Sequence, residues 1–404
     1  MNILKNRNAV SIQAIGYQDQ LPGVEYEENR YVIREGDVAF NALTGEAAYL
    51  NEDDEAAEIR NWYMTPKGMD LAGLAHLTRQ QAVRMNKPRS INGYVIFTTT
   101  GCNAGCWYCF QAGREAVPMS EQTALDVAKY IKANANPGRN IELRWFGGEP
   151  LMNRNVINLI CQELKSAGRP YYSSMSSNGD LFPLVTDEEL ALWNLRQVQF
   201  TIDEPGEEYD KIKGLPEGAY ERLKETIRRL ENVRCTIRIH YDPEKGAEPC
   251  DRIIDDFKGF PNVTMYAAML YDEPRKQEDY EALLRIEDHM IECGKMQPVL
   301  PDIKPGINCM ADNRAMACIT PTGDLTACEH YTAGQSYGTI YVKERDQALL
   351  DEWAAKTKDR DECMNCPLYP SCEMLCNCPA VGKCEEGYQY YRISAIRRAL
   401  KRMG

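Results

Sequence analysis

The stretch Thr98-Thr99-Thr100-Gly101-Cys102-Asn103-Ala104-Gly105-Cys106-Trp107-Tyr108-Cys109 places three thiols in CxxxCxxC spacing directly after a strand-like run. Three thiols in so short a loop can reach one metal cluster. A four-iron cluster with three protein ligands keeps one iron open for a cofactor or substrate, whereas an electron-transferring cluster normally takes four cysteines. On spacing alone a Cys-rich zinc loop is the alternative, although zinc sites favour CxxC pairs.

Outward from that loop, strand-like and helical segments alternate between about residues 91 and 290. Strands are expected at 93–100, 141–146, 171–177, 197–203, 233–241 and 263–270, with helical patterns at 121–134, 154–166 and 219–230 between them. Such alternation signals βα units and a parallel sheet. The chemically distinctive residues cluster just after strand ends, where parallel α/β folds build their sites. Residues 1–90 read as a hairpin (Tyr31–Ile33, Val38–Phe40) followed by helical sequence at 53–63 and 71–85, an α+β unit. Beyond about 300 the chain is rich in Cys, Pro and Gly, and such a region needs metal staples in place of a large apolar core.

Composition narrows the function. A chain of 404 residues accommodates two or three domains. A formal net charge of −13 argues against a general nucleic-acid binder, which must neutralise phosphates. The basic run Arg392, Arg397, Arg398, Lys401 and Arg402 reads as a solvated helix end. No run approaches the ~18 apolar residues of a membrane span, and the start MNILKNRNAV lacks a signal-peptide core, so a cytoplasmic protein without membrane contact is expected. In a reducing compartment, 16 cysteines point to metal or redox chemistry rather than disulfides. Cys161, Cys235, Cys250 and Cys293 stand alone and read as small buried side chains.

The cysteine loop resembles that of the radical S-adenosylmethionine superfamily, and further residues match its motifs. Tyr108 precedes the third cysteine, as the family usually has, with its backbone at the adenine. Gly147-Gly148-Glu149-Pro150 resembles the family's GGEP motif, which holds the methionine ammonium; glycines admit a close backbone approach and a carboxylate complements an ammonium. Ser177-Asn178-Gly179 resembles the cofactor-contacting TNG-like segment, with Ser177 in place of the usual Thr. Thr201-Ile202-Asp203 resembles an SxD segment, with Glu204 where a Gly often follows. Strand alternation puts Thr236, Arg238 and His240 on one face. If that face lines the barrel mouth, Arg238 pairs the methionine carboxylate and His240 sits near the substrate. Asp203 and His240 are the catalytic candidates.

The cysteines of the C-terminal region are similar to those of the SPASM domain, which holds auxiliary clusters in radical enzymes acting on peptides and proteins. The pattern runs Cys309, Gly323, Cys328, then Cys363-x2-Cys366-x5-Cys372-x3-Cys376, Cys378 and Cys384. The resemblance implies that Cys309, Cys328 and Cys376 hold one auxiliary 4Fe–4S cluster, and Cys363, Cys366, Cys372 and Cys384 the other. Two assignments stay open: Cys318 or a substrate thiolate as fourth ligand of the first, and Cys378 in place of Cys384 in the second.

The family then implies an α/β fold: a partial (β/α)6 TIM-like barrel over 91–295, an N-terminal α+β domain over 1–90 and a Cys-rich SPASM domain over 296–404. It implies S-adenosylmethionine and three 4Fe–4S clusters as cofactors, and a flavodoxin- or ferredoxin-type electron donor. A 5′-deoxyadenosyl radical would abstract hydrogen from a ribosomal precursor peptide, giving a thioether or carbon–carbon crosslink or another oxidation. Residues 1–90 are compatible with a leader-binding domain that adds a strand to a sheet edge, or with a cap that binds nothing. An anaerobic sulfatase-maturing enzyme is the alternative within the family. A non-catalytic iron–sulfur carrier is the alternative of another class, and it has no need of Gly147 to Pro150.

Overall fold

Several strands in the middle of the chain are apolar on one face and polar on the other, and that alternation shapes the molecule. In the computed structural model the described residues are 3–4, 23–50, 55–85, 91–269, 275–300, 310–313, 316–330, 335–355, 361–369, 371–372, 384 and 386–403. Six strands, β7 (Gly93–Thr99), β8 (Ile141–Gly147), β9 (Tyr171–Ser176), β10 (Leu195–Ile202), β11 (Arg234–Tyr241) and β12 (Val263–Met269), pair in parallel in consecutive order. Consecutive order winds the sheet in one direction, as in a TIM-like barrel, rather than outward from a switch point.

Ile141, Leu143 and Trp145 of β8, Val198, Phe200 and Ile202 of β10, and Cys235, Ile237 and Ile239 of β11 are buried in one large core. That core also takes the apolar faces of α3 (Glu121–Asn134), α4 (Arg154–Ser166), α7 (Ala219–Arg229), α8 (Glu248–Phe257) and α9 (Gln277–Glu292). The alternate residues, including Gln197, Gln199, Thr201, Thr236 and Arg238, are only partly buried and form the polar concave face. Caps fix the helix starts: Ser120 accepts from the Thr123 N–H before α3, and Thr186 and Glu189 form a capping box on α5 (Asp187–Trp193).

The N-terminal residues form a four-stranded antiparallel sheet in the order β1 (Ile3–Leu4), β5 (Glu46–Tyr49), β4 (Val38–Asn41), β3 (Val32–Glu35). A separate pair joins β2 (Tyr26–Glu28) to β6 (Met64–Pro66). The helical pattern expected over 53–63 ends early, as α1 (Glu55–Arg60). Trp62 takes a left-handed φ of 64°, and the Tyr63 carbonyl is drawn to the Asn29 N–H at 2.9 Å, so tertiary pairing overrides local propensity there. The expected helix α2 (Leu71–Met85) is present.

From the C-terminal region, β13 (Met316–Ile319) pairs in parallel with β7 and continues through β14 (Asp324–Thr326) to β15 (Ser336–Thr339), so the central sheet has nine strands. The last helix (Glu386–Lys401) buries Ile396 and Leu400 with Phe40 of β4 and Leu43 of the turn that follows it. The basic run at its end is therefore not wholly solvated, because Arg398 pairs with Glu287 and with Asp288 (2.8 Å) on α9. No helix is long and apolar enough to cross a membrane among the described residues.

Phe200 is fully buried and meets Phe182 edge-on at 5.8 Å. Phe200→Ala is expected to lower the free energy of unfolding by about 3–5 kcal/mol, read by denaturant titration.

Candidate active site

The cysteine loop leaves the end of β7 and is held from behind by the end of β8. The Gly148 N–H donates to the Thr99 carbonyl (3.0 Å) and the Glu149 N–H to the Gly101 carbonyl (2.9 Å). At this approach no side chain fits: a Cβ on Gly147 would lie 2.1 Å from the Thr99 carbonyl oxygen, and one on Gly148 would lie 2.1 Å from that of Gly101. Gly147 also needs its φ of 136°.

The Glu149 side chain is wholly buried and turned toward the next strand end. It accepts from Ser177 Oγ (3.0 and 3.1 Å), the Asn178 N–H (2.8 Å) and the Leu151 N–H (3.1 Å). Burial raises its pKa to about 7 against the opposing pull of those donors. Asn178 reaches on to Asn103 Oδ1 at 2.8 Å and Cys102 Sγ at 3.9 Å. Glu149 thus knits three strand ends together.

Cys102, Cys106 and Cys109 line one cavity of about 230 Å³. Tyr108, Gly147, Gly148, Ser177, Asn178, Arg238 and His240, all singled out in the sequence, line it too. Burial raises the Cys102 thiol, the Ala104 N–H opposes this, and Glu149, Cys106 and Cys109 raise it further. Three thiols gathered on one cavity walled by side-chain-free glycines fit a metal cluster.

Asp203 lies beneath this cavity and gathers three donors: Tyr108 OH (2.7 Å), Lys213 Nζ (3.0 Å) and His240 Nδ1 (2.6 Å). Burial opposes its ionisation, but the Lys213 ammonium and the bonds from His240 and Tyr108 prevail and hold its carboxyl well below the usual range. The neighbouring Glu204 turns away to Lys245 (3.0 Å) and Arg252 (3.7 Å), so it leaves Asp203 undisturbed. Burial also lowers the His240 pKa, against Asp203 and helped by Arg238 and Lys213. An ionised carboxylate only accepts, so Nδ1 carries the proton and Nε2 presents a lone pair. Nε2 is buried with no hydrogen-bond partner among the described residues.

Lys213 escaped the sequence reading. It ends α6 (Glu207–Lys213), with Gly214 left-handed behind it at φ 61°. Its signal is the spacing of four from Tyr209, which puts both on one buried helix face. Gln111 was also missed; its Nε2 donates to the Gly147 carbonyl at 2.7 Å. Phe110, 43% exposed, stacks on His330 with ring centroids 4.0 Å apart, and the His330 N–H donates to Cys328 Sγ (3.3 Å). The C-terminal region thereby touches the cysteine loop.

Among the auxiliary-ligand candidates, Cys363, Cys366 and Cys372 border one packing cluster. Burial raises Cys366, the Leu368 N–H lowers it, and Cys384 and Cys363 raise it, so these thiols are neighbours. Cys318 is buried with Val95 and Phe97, and Cys328 with Ala311, in separate clusters. Cys309, Cys376 and Cys378 lie outside the described residues. Of the lone cysteines, Cys161, Cys235 and Cys250 are buried, with thiols pushed up to about 12 by burial. Cys293 is partly exposed beside Asp255 and His289, which are engaged by Lys258 (2.9 Å) and Asp251 (2.7 Å).

Residues 96–257 match the model of the Radical SAM superfamily and form a radical SAM domain. Over 120 residues the chain is 32% identical to a GTP 3′,8-cyclase of Desulforamulus reducens, covering 29% of this chain and 36% of that protein. The chain thus spans about a third of the length of the first curated relatives it matches. The structure resembles anSMEcpe with bound AdoMet and Cp18Cys peptide (TM-score 0.55, 17% identity, 76% of this chain and 95% of that one). It also resembles Streptococcus suis SuiB bound to precursor peptide SuiA (TM-score 0.55, 14% identity, 92% of this chain and 100% of that one). These likenesses establish a shared mixed α/β fold with a parallel-strand core.

Gly148→Ala is expected to destabilise the protein by about 1–3 kcal/mol, since a backbone clash relaxes poorly. It should also lower the iron retained after anaerobic reconstitution, measured by iron assay against the parent.

Proposed function

We propose that this protein is a radical S-adenosylmethionine enzyme that oxidises or crosslinks a ribosomally made precursor peptide. The observation that carries the reading is the convergence of Cys102, Cys106 and Cys109 with Gly147, Gly148, Ser177 and Asn178 around one cavity at the strand ends. An electron carrier has no use for the second set. Trp107, which lines the cavity and is 67% exposed, offers apolar surface that suits a peptide better than a small metabolite. The likeness to SuiB bound to its precursor peptide extends over most of the chain, which supports the same substrate class.

When bound, the cluster and S-adenosylmethionine would supply a carbon radical that removes a hydrogen atom from the peptide. Cys102, Cys106 and Cys109 would hold the cluster. Gly147, Gly148 and the Tyr108 backbone admit the cofactor closely, with Glu149 holding Ser177 and Asn178 against it. Arg238 on the concave face pairs the methionine carboxylate. His240 Nε2 accepts the proton that the oxidised peptide sheds, and Asp203 fixes the imidazole by its bond to Nδ1. Cys309, Cys328 and Cys376, with Cys318 or a substrate thiolate, and Cys363, Cys366, Cys372 and Cys384 would hold two auxiliary clusters, which would supply an acceptor for the second electron. A flavodoxin- or ferredoxin-type donor supplies the first.

Anaerobic reconstitution with dithionite and S-adenosylmethionine is expected to yield 5′-deoxyadenosine, and about twelve irons per chain for three four-iron clusters. Replacing Cys102, Cys106 and Cys109 with Ala should abolish that product; none from fully loaded parent protein would sink the enzyme reading. With a co-expressed precursor peptide, mass spectrometry should show a loss of two hydrogens. Formylglycine in a sulfatase fragment, and no change in precursor peptides, would favour the maturase of sulfatases instead.

The proton-accepting role has a pH signature. Peptide modification should fall on the acid side with a midpoint below 6.5, where His240 gains its proton. In His240→Gln that limb should vanish and turnover should drop about 100-fold.

A further inference from the structure

Each thiol of the cysteine loop has a hydrogen-bond donor near it, and one of the three is charged. Cys102 Sγ receives the Ala104 N–H and Cys109 Sγ the Gln111 N–H, both at 3.4 Å and both from the backbone. At Cys106 the donor is Lys213 Nζ, 4.0 Å from Sγ. The three protons of that ammonium find three acceptors: Cys106 Sγ, Asp203 Oδ2 (3.0 Å) and Tyr108 OH (3.1 Å). The Lys213 side chain is only 3% exposed, and the rings of Tyr209 and Tyr108 flank Nζ at 5.2 and 5.8 Å. The Lys213 carbonyl accepts the Gly105 N–H at 2.7 Å, so the end of α6 is fastened to the same loop.

Burial of an ammonium is costly unless it is paired, and Asp203 satisfies that need. Asp203 alone does not explain why the ammonium lies against a thiol that the proposed function makes an iron ligand. We propose that Lys213 sets how readily the cluster held by Cys102, Cys106 and Cys109 accepts its electron, an inference that rests on that proposed function. The electron comes from the flavodoxin- or ferredoxin-type donor, and no bond forms or breaks in this step. The reduced cluster carries one more negative charge than the oxidised one. A fixed positive charge at hydrogen-bond distance, shielded from water by two rings, stabilises the reduced form more than the oxidised form. Hydrogen bonds to the sulfurs and local charge are among the protein's means of setting iron–sulfur potentials. The donors to Cys102 and Cys109 are neutral, backbone N–H groups and, at Cys102, the Asn178 amide at 3.9 Å, so Cys106 is the ligand whose charged donor a side-chain change can remove. Lys213 acts through Cys106 and is a positioning residue.

The test is a redox titration of the reconstituted full chain followed by electron paramagnetic resonance. The signal tracked is the component that S-adenosylmethionine perturbs, which separates this cluster from auxiliary ones. Lys213→Met should make that cluster at least tenfold harder to reduce, about 59 mV lower for a one-electron couple. Lys213→Arg should stay within threefold of the parent. Should Lys213→Met fail to load iron, Lys213→Gln, which keeps a donor but no charge, is held to a threefold loss. Variants with full iron that titrate with the parent would overturn the role of Lys213 and leave the proposed function standing. A parent with no signal that S-adenosylmethionine perturbs would overturn the proposed function itself.

Discussion

The buried carboxylate of Glu149 is the interaction on which the site depends. Its side chain takes the Ser177 hydroxyl and the Asn178 N–H from the end of β9, while its own N–H bonds Gly101 at the start of the cysteine loop. The ends of β7, β8 and β9 are thereby held at fixed spacing. Placing an acid in the interior costs energy, which raises its pKa to about 7, and three donors, the Ser177 hydroxyl and the Asn178 and Leu151 N–H groups, offset that cost. The glycines beside it serve the same end, since the backbones meet where any Cβ would collide.

A second network lies one layer deeper. Asp203, Tyr108, Lys213 and His240 come from β10 and its following loop, the cysteine loop, α6 and β11, and each satisfies another. The network leaves a buried lone pair on His240 Nε2 and a positive charge beside Cys106. The first would suit proton uptake and the second the cluster's uptake of an electron from its donor, so one carboxylate orders the groups for both.

Much of this was legible in the sequence because β10 and β11 alternate. Gln197 to Ile202 and Cys235 to His240 put apolar residues on one face and polar ones on the other, which separates lumen from core. The motifs at Cys102, Gly147, Ser177 and Asp203 were legible because each follows a strand end. The direction of the Glu149 side chain was not, since motif reading sets a carboxylate beside an ammonium and cannot see the donors of the next loop. Lys213 was hidden for a related reason. In Glu207–Lys213 it looks like one of many surface charges, and only the fold returns the helix end to the cysteine loop. The stacking of His330 on Phe110 joins segments more than 200 residues apart and has no local signature.

In the proposed function three thiols, braced by Gly147 to Glu149, leave one iron open to S-adenosylmethionine. Electron–nuclear double resonance on the dithionite-reduced protein, with S-adenosylmethionine labelled at its amino nitrogen and carboxylate oxygens, tests it most directly. Strong couplings from both labels, lost when Cys102, Cys106 and Cys109 are replaced together, are the expected result. A reduced cluster that shows no coupling to either label would contradict the account.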